Sequence, residues 1–146
     1  MALRLYLCHA QARYGENTYI PLSVGCLYAY ARTFPEISRA YDFCGFLYLK
    51  ERISAAVARL ERPDVVGLSH YVWNAEWNRQ FAHAIKERWP ACTIVVGGVQ
   101  VPDESTRILA ECADFDFGIY GEGEGAFADF LRQYAGTRDY PSVGSL

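Results

Sequence analysis

Apolar residues along this chain fall into two alternating patterns. Short unbroken runs are followed by stretches in which apolar positions recur every three or four residues. A continuous apolar run cannot alternate faces, so it suits a parallel strand covered on both sides by helices, and the longer period is that of an amphipathic helix. The runs predict strands at Leu3–Cys8, Ile37–Cys44, Val65–Ser69, Thr93–Val96 and Phe115–Tyr120. Between them, Pro21 is placed to open a helix with Leu22, Gly25, Cys26, Ala29 and Tyr30 on one side, ending before Pro35. Ile53, Ala56, Val57 and Leu60 predict a second helix. Asn74 is a candidate N-cap for a third, in which Trp77, Phe81, Ile85 and Trp89 recur until Pro90. A short helix around Ser105 to Cys112 follows, then a last one carrying Ala126, Phe127, Phe130, Leu131 and Tyr134 and ending near Gly136. Alternating strands and helices imply a parallel sheet with helices on both faces, because each parallel return needs a right-handed crossover. Periodicity does not give the strand order.

Glycines and aromatics mark the strand ends. The fourth strand runs into Gly97-Gly98-Val99-Gln100, the fifth into Gly121-Glu122-Gly123-Glu124-Gly125, and the third into His70-Tyr71-Val72-Trp73. In open α/β sheets ligands bind outside the carboxyl ends of the strands, and glycine there admits a flat ligand or another backbone. His9 to Ile20 predicts an unusually long loop beside the first strand end, with Tyr14 and Tyr19 as weaker binding candidates.

Composition narrows the chemistry. The 146 residues, 51% hydrophobic and 21% charged, suit about one globular domain. A net charge of −3 without a basic stripe argues against nucleic acid or an anionic membrane as partner. No charged leader precedes an apolar segment and no apolar run approaches the ~18 residues of a span, so a cytoplasmic location is expected. The five cysteines, Cys8, Cys26, Cys44, Cys92 and Cys112, include no closely spaced pair, so neither a zinc nor an iron–sulfur site is expected; buried ones read as small core residues. The glycine–glutamate run is no dinucleotide fingerprint, which belongs to the first strand–turn–helix and avoids carboxylates beside the pyrophosphate. Glu124 reads better as favouring the positive end of the last helix.

Pro21-Leu-Ser-Val-Gly-Cys-Leu-Tyr-Ala-Tyr-Ala-Arg32, Asp64-Val-Val-Gly-Leu-Ser69, Val96-Gly97-Gly98 and Asp116-Phe-Gly-Ile-Tyr-Gly-Glu-Gly-Glu124, in this order and spacing, resemble the N-terminal cobalamin (B12)-binding domain of the B12-dependent radical S-adenosylmethionine enzymes. The resemblance covers nearly the whole chain. It implies a flavodoxin-like (Rossmann-like) three-layer α/β fold with a five-stranded parallel sheet of order 2-1-3-4-5. The corrin then lies over the carboxyl ends of the strands with its nucleotide tail inserted toward the sheet. Residues 1–136 form the cobalamin-binding domain, and 137–146, with Tyr140-Pro141-Ser142, resemble the start of the linker to a C-terminal radical S-adenosylmethionine domain, present in cis or in trans.

By position in that family, Ser69 hydrogen-bonds the tail, Gly97 and Gly98 admit it edge-on, and Val99, Gln100, Gly121, Glu122 and Gly123 meet the corrin rim or tail. Many cobalamin domains carry Asp-x-His-x-x-Gly after the first strand, whose histidine ligates cobalt. Here that region reads Cys8-His9-Ala10-Gln11-Ala12-Arg13, which leaves His9 as a weak candidate and implies a corrinoid held without a histidine lower ligand. Tyr71, Val72 and Trp73 are then candidates to cover the cobalt face. His70 is a minor candidate, and His83 is expected to face solvent. The parent enzyme implied is a methyltransferase with a 4Fe-4S cluster and S-adenosylmethionine; this chain lacks the Cys-x-x-x-Cys-x-x-Cys motif and is not expected to be catalytic alone. Two alternatives remain. The same fold without cobalamin would show a slot filled by Tyr71 or Tyr120. A signalling receiver would need acidic residues after the first strand, an aspartate ending the third and a lysine ending the fifth, where this chain has Cys8-His9, Ser69 and Tyr120.

Overall fold

The fold was analysed in a computed structural model, which describes all residues except Tyr14, Thr18, Glu104 and Ser105. Tyr14 and the Ser105 start of the short helix therefore lie outside the described residues. The elements run β1 (Leu3–Gln11), α1 (Leu22–Ala31), α2 (Pro35–Ala40), β2 (Tyr41–Leu49), α3 (Ile53–Ala58), β3 (Val65–Ser69), α4 (Ala75–Arg88), β4 (Thr93–Gly97), α5 (Thr106–Glu111), β5 (Phe117–Ile119) and α6 (Gly123–Ala135), with a 3₁₀ turn at Tyr140–Ser142. The strands form one parallel sheet of order β2-β1-β3-β4-β5. This is the flavodoxin-like order. Side chains alternate across the sheet, so two cores form. Tyr6, Cys8, Val66, Leu68, Ile94 and Val96 pack under α3 and α4 with Phe81 and Ile85, while Leu5, Leu7, Val65, Val95 and Ile119 pack under α1 and α6 with Phe127, Phe130 and Leu131.

Several expectations change. The predicted strand from Ile37 begins instead at Tyr41, because Pro35 at the first helical position and Glu36 in the first turn start a helical turn that buries Ile37. The apolar stripe on α1 is not the predicted one: Leu22, Ala29 and Tyr30 are exposed, whereas Val24 and Ala31 are buried and Leu27 and Tyr28 pack against the core. Almost every residue of Leu-Ser-Val-Gly-Cys-Leu-Tyr-Ala-Tyr-Ala is apolar, so periodicity could not choose a face. β1 continues to Gln11, which shortens the predicted loop, and β5 is only three residues long.

The chain after α6 folds back onto the domain. Val143 is buried, Tyr140 packs against Phe117 and Phe130, and Tyr120 N donates to Ser145 O at 3.0 Å. That bond supplies a partner to the otherwise open edge of the sheet beside β5.

Candidate functional site

Period-two alternation decides which residues face α1 and α6 at the carboxyl end of the sheet. In the pairing register Leu7, Gly67, Val95 and Phe117 form one row, and Ser69, Gly97 and Ile119 form the next. Two glycines and a serine thus stand where most strands carry branched side chains. They leave a slot of about 650 Å³, closed above by Ser23, Val24 and Leu27 of α1 and by Gly123 and Phe127 of α6. Its mouth is polar, with Asp103, Glu122 and Glu124 among its lining.

Eight predicted site residues line this slot: Ser69, Tyr71, Gly97, Gly98, Val99, Gly121, Glu122 and Gly123. Val72, Trp73 and Gln100 do not. Val72 and Gln100 instead border a smaller cavity of about 360 Å³ between α4 and α5, which Val99 also lines. Trp73 stacks on Tyr71 with ring centroids 4.5 Å apart and planes 7° from parallel, and its carbonyl accepts from Lys50 Nζ at 3.1 Å. Neither Tyr71 nor Tyr120 fills the slot: Tyr71 stands at its rim against Trp73, and Tyr120 packs on the opposite core. Val72, Trp73 and Val99 are strongly exposed, as are Tyr19 and Ile20 of the loop before α1 and Leu22 at the start of that helix. The carboxyl edge of the sheet therefore exposes apolar side chains beside the slot's polar mouth.

The two adjacent glycines differ in role. A Cβ on Gly97 would meet Ile119 O at 3.5 Å, an ordinary contact, so smallness there widens the slot. Gly98 has φ +121, and a Cβ would come within 2.9 Å of His70 O. Backbone crowding, beyond any ligand, demands glycine at that position. His70 N donates to Gly97 O at 2.7 Å, which locks the β3 and β4 ends together.

Asn74 stands at the N-cap position of α4 but makes no side-chain cap bond. Its fully buried amide ties three segments: Oδ1 accepts from Tyr71 N at 2.8 Å, and Nδ2 donates to Ser69 O at 2.9 Å and Ala10 O at 3.1 Å. Asn78 Nδ2 also reaches Ser69 O at 2.9 Å and faces His70 Nδ1 at 3.2 Å. These bonds hold Ser69 and the Tyr71–Trp73 pair in place.

The histidines separate by environment. His9 lies within β1, half-buried, with Nδ1 2.8 Å from Ser23 Oγ and its ring 5.1 Å from that of Tyr71; burial holds its pKa below the usual imidazole range. Ser23 Oγ lies in turn 3.0 Å from Ser69 Oγ. His70 is buried against Phe115 on the other face of the sheet, its pKa lowered by burial and then by Arg79. His83 is exposed beside Asp114 and Glu87, as expected. Ser23, Val24, Leu27, Gly67, Asp103 and Phe127 are slot residues that sequence reasoning did not assign. Only Ser23, a polar residue in the first turn of an otherwise apolar helix, carried a signal.

All five cysteines are free, and among the described residues no group of cysteine, histidine and carboxylates could hold a metal ion. Burial pushes the Cys8 and Cys92 thiols up to about 12, so both stay protonated and inert at neutral pH.

A family model described as a B12 binding domain matches residues 30–131. The chain belongs to the B12-binding domain family. The B12-binding domain is 36% identical over 126 residues to a 2-(S-pantetheinyl)-carbapenam-3-carboxylate methyltransferase of Streptantibioticus cattleyicolor, covering 86% of this chain and 18% of that protein. It is 35% identical over 129 residues to the cobalamin-dependent radical SAM methyltransferase TokK of Streptomyces tokunonensis, covering 88% and 19%. The domain thus spans under a fifth of the length of these curated relatives. Among solved structures, the RcsB response regulator of Salmonella typhimurium superposes with a TM-score of 0.59 over 94% of this chain and 60% of its own, at 12% identity. That likeness is one of fold. The acidic cluster and the lysine of a receiver have no counterpart at Cys8-His9, Ser69 and Tyr120.

Proposed function

We propose that this domain binds cobalamin with the nucleotide tail in the slot between α1, α6 and the carboxyl ends of β3, β4 and β5, and that it serves a radical S-adenosylmethionine methyltransferase. The observation that carries the reading is the slot itself. Its 650 Å³ lies within the about 300–1,000 Å³ of small-molecule sites, its walls are apolar, and Gly97 leaves room for a flat base. The residues present fit the group. When bound, cobalamin supplies alkyl-transfer chemistry at its cobalt, and the chain's own residues bind and orient it.

In this reading Ser69 hydrogen-bonds the tail and Gly97 lets it lie edge-on. Gly98 keeps the β4 end against His70, so that Val99 and Gln100 reach the corrin rim. Gly121, Glu122 and Gly123 meet the rim or tail from β5, and the Tyr71–Trp73 stack, with Val72, offers an apolar cover at the cobalt face that disfavours water. The absence of Asp-x-His-x-x-Gly supports a cobalt without a histidine lower ligand; His9 has Nδ1 committed to Ser23 and only Nε2 left. Residues 137–146 would lead toward the catalytic domain, in cis or in trans, which brings the 4Fe-4S cluster and S-adenosylmethionine that the cysteines here do not serve. Five free cysteines agree with a reducing, cytoplasmic setting. No helix among the described residues is long and apolar enough to cross a membrane, and the charge of −3 favours neither membrane nor nucleic acid as partner.

The test is reconstitution with hydroxocobalamin followed by desalting and absorbance. Stoichiometric retention is expected; loss of all corrin rejects the reading. After reduction to Co(II), electron paramagnetic resonance should show no splitting from an axial nitrogen. A nitrogen splitting that vanishes in His9→Phe would identify His9 as the ligand and overturn the histidine-free placement.

A further inference from the structure

Three side chains from three elements form a single file of hydrogen bonds along the slot. His9 of β1 faces Ser23 in the first turn of α1 at 2.8 Å, and Ser23 faces Ser69 at the end of β3 at 3.0 Å. The second pair lies 46 positions apart in sequence, and neither His9 nor Ser23 falls within the stretch matched by the family model, residues 30–131. Burial favours the neutral imidazole at His9, so its two tautomers decide what the file does.

A hydroxyl has one proton to donate, and a neutral imidazole has one N–H. With the proton on Nδ1, His9 donates to Ser23, Ser23 donates to Ser69, and the Ser69 proton is left for the slot. With the proton on Nε2, Nδ1 accepts from Ser23, Ser23 accepts from Ser69, and Ser69 offers the slot only lone pairs. The slot therefore presents a donor or an acceptor according to a residue that the slot's own lining does not include.

We propose that His9 is a positioning residue that, through Ser23, sets the hydrogen-bonding polarity of Ser69 and so selects the tail base the slot accepts: a flat heterocycle with an unprotonated ring nitrogen. Such a base draws the file into the Nδ1–H arrangement and receives the Ser69 proton as a hydrogen bond. A phenolic tail has no ring nitrogen to match it. This inference rests on the tail lying in the slot.

The experiment titrates the 146-residue chain with cobalamin and with cobinamide, which has the corrin but no nucleotide tail, in wild type, His9→Asp and His9→Asn. Aspartate places an oxygen near the Nδ1 position and can only accept, which fixes Ser69 as an acceptor toward the slot. Asparagine can turn its NH₂ to Ser23 and donate. His9→Asp should lower the preference for cobalamin over cobinamide about tenfold, the scale of one lost hydrogen bond, while His9→Asn stays within about twofold of wild type. The added charge also repels the tail phosphodiester, which cobinamide lacks, and this contribution does not depend on Ser23. In a Ser23→Ala background the effect of His9→Asp on the ratio should fall to that charge contribution alone, because the file is cut. An unchanged ratio in His9→Asp, an equal fall in His9→Asn, or an effect that Ser23→Ala leaves undiminished overturns the relay. Equal wild-type affinity for both corrinoids overturns it too, while leaving corrin binding intact. A wild-type chain that binds neither overturns the cobalamin reading and the relay together.

Discussion

At the scale of single residues, neighbouring glycines separate binding from folding. Gly98→Ala forces a side chain into a positive-φ backbone against the His70 carbonyl and should cost about 3 kcal/mol in chemical denaturation. Gly97→Ala meets only an ordinary contact, so it should change stability by less than about 1 kcal/mol, yet it narrows the slot and should weaken corrinoid retention in absorbance titration. Equal stability losses in the two variants would contradict this division. From the sequence the pair is one Gly-Gly signal at a strand end. What distinguishes them is the His70 backbone, which lies more than twenty positions away along the chain.

At the scale of elements, the link between β3 and α4 is held by buried amides in place of a cap. Asn74→Ala removes bonds to Tyr71 N, Ser69 O and Ala10 O inside the core and should destabilise the domain by about 2–3 kcal/mol. Hydrogen exchange should show the Tyr71 amide losing protection first; if it exchanges as in wild type, the amide does not hold the loop. The segment after α6 is likewise tied down. Val143→Ala removes two buried methyl groups at about 0.8 kcal/mol each, so a loss of about 1.5 kcal/mol is expected in thermal or chemical unfolding. No change would show that the segment detaches in solution.

For the whole molecule, pH dependence follows from His9 and His70. Both have folded pKa values depressed chiefly by burial, whereas in the unfolded chain they titrate near the usual value of about 6.5. The unfolded chain therefore takes up protons first as pH falls. Stability is fully present above about pH 6.5 and drains as pH drops from there toward the folded values. Denaturation midpoints measured between neutral and mildly acidic pH should decline. His70→Asn should flatten the decline from the lower baseline expected of a core substitution, and a slope unchanged in that variant would assign the effect elsewhere.

Much of this architecture was legible because it is written locally. Strands at Val65–Ser69 and Thr93–Gly97, helices under Phe81 and Phe127, and glycines at the carboxyl edge follow from apolar runs and periods that neighbouring residues impose on one another. Strand order came only from resemblance, since local pattern holds no information on which strands pair. The sequence alone also determined that this chain has no clustered thiols for a metal and no basic stripe for phosphate. Tertiary structure decided the rest. It chose the buried stripe of the uniformly apolar α1, turned Asn74 from a cap into a tie, placed Val72 and Gln100 beside a different cavity, and joined His9, Ser23 and Ser69 in one file. Each of those outcomes depends on which groups from distant parts of the chain come within a few ångströms. Periodicity reports only whether a residue faces inward, and the partner it meets there is fixed by the packing of the whole sheet against its helices.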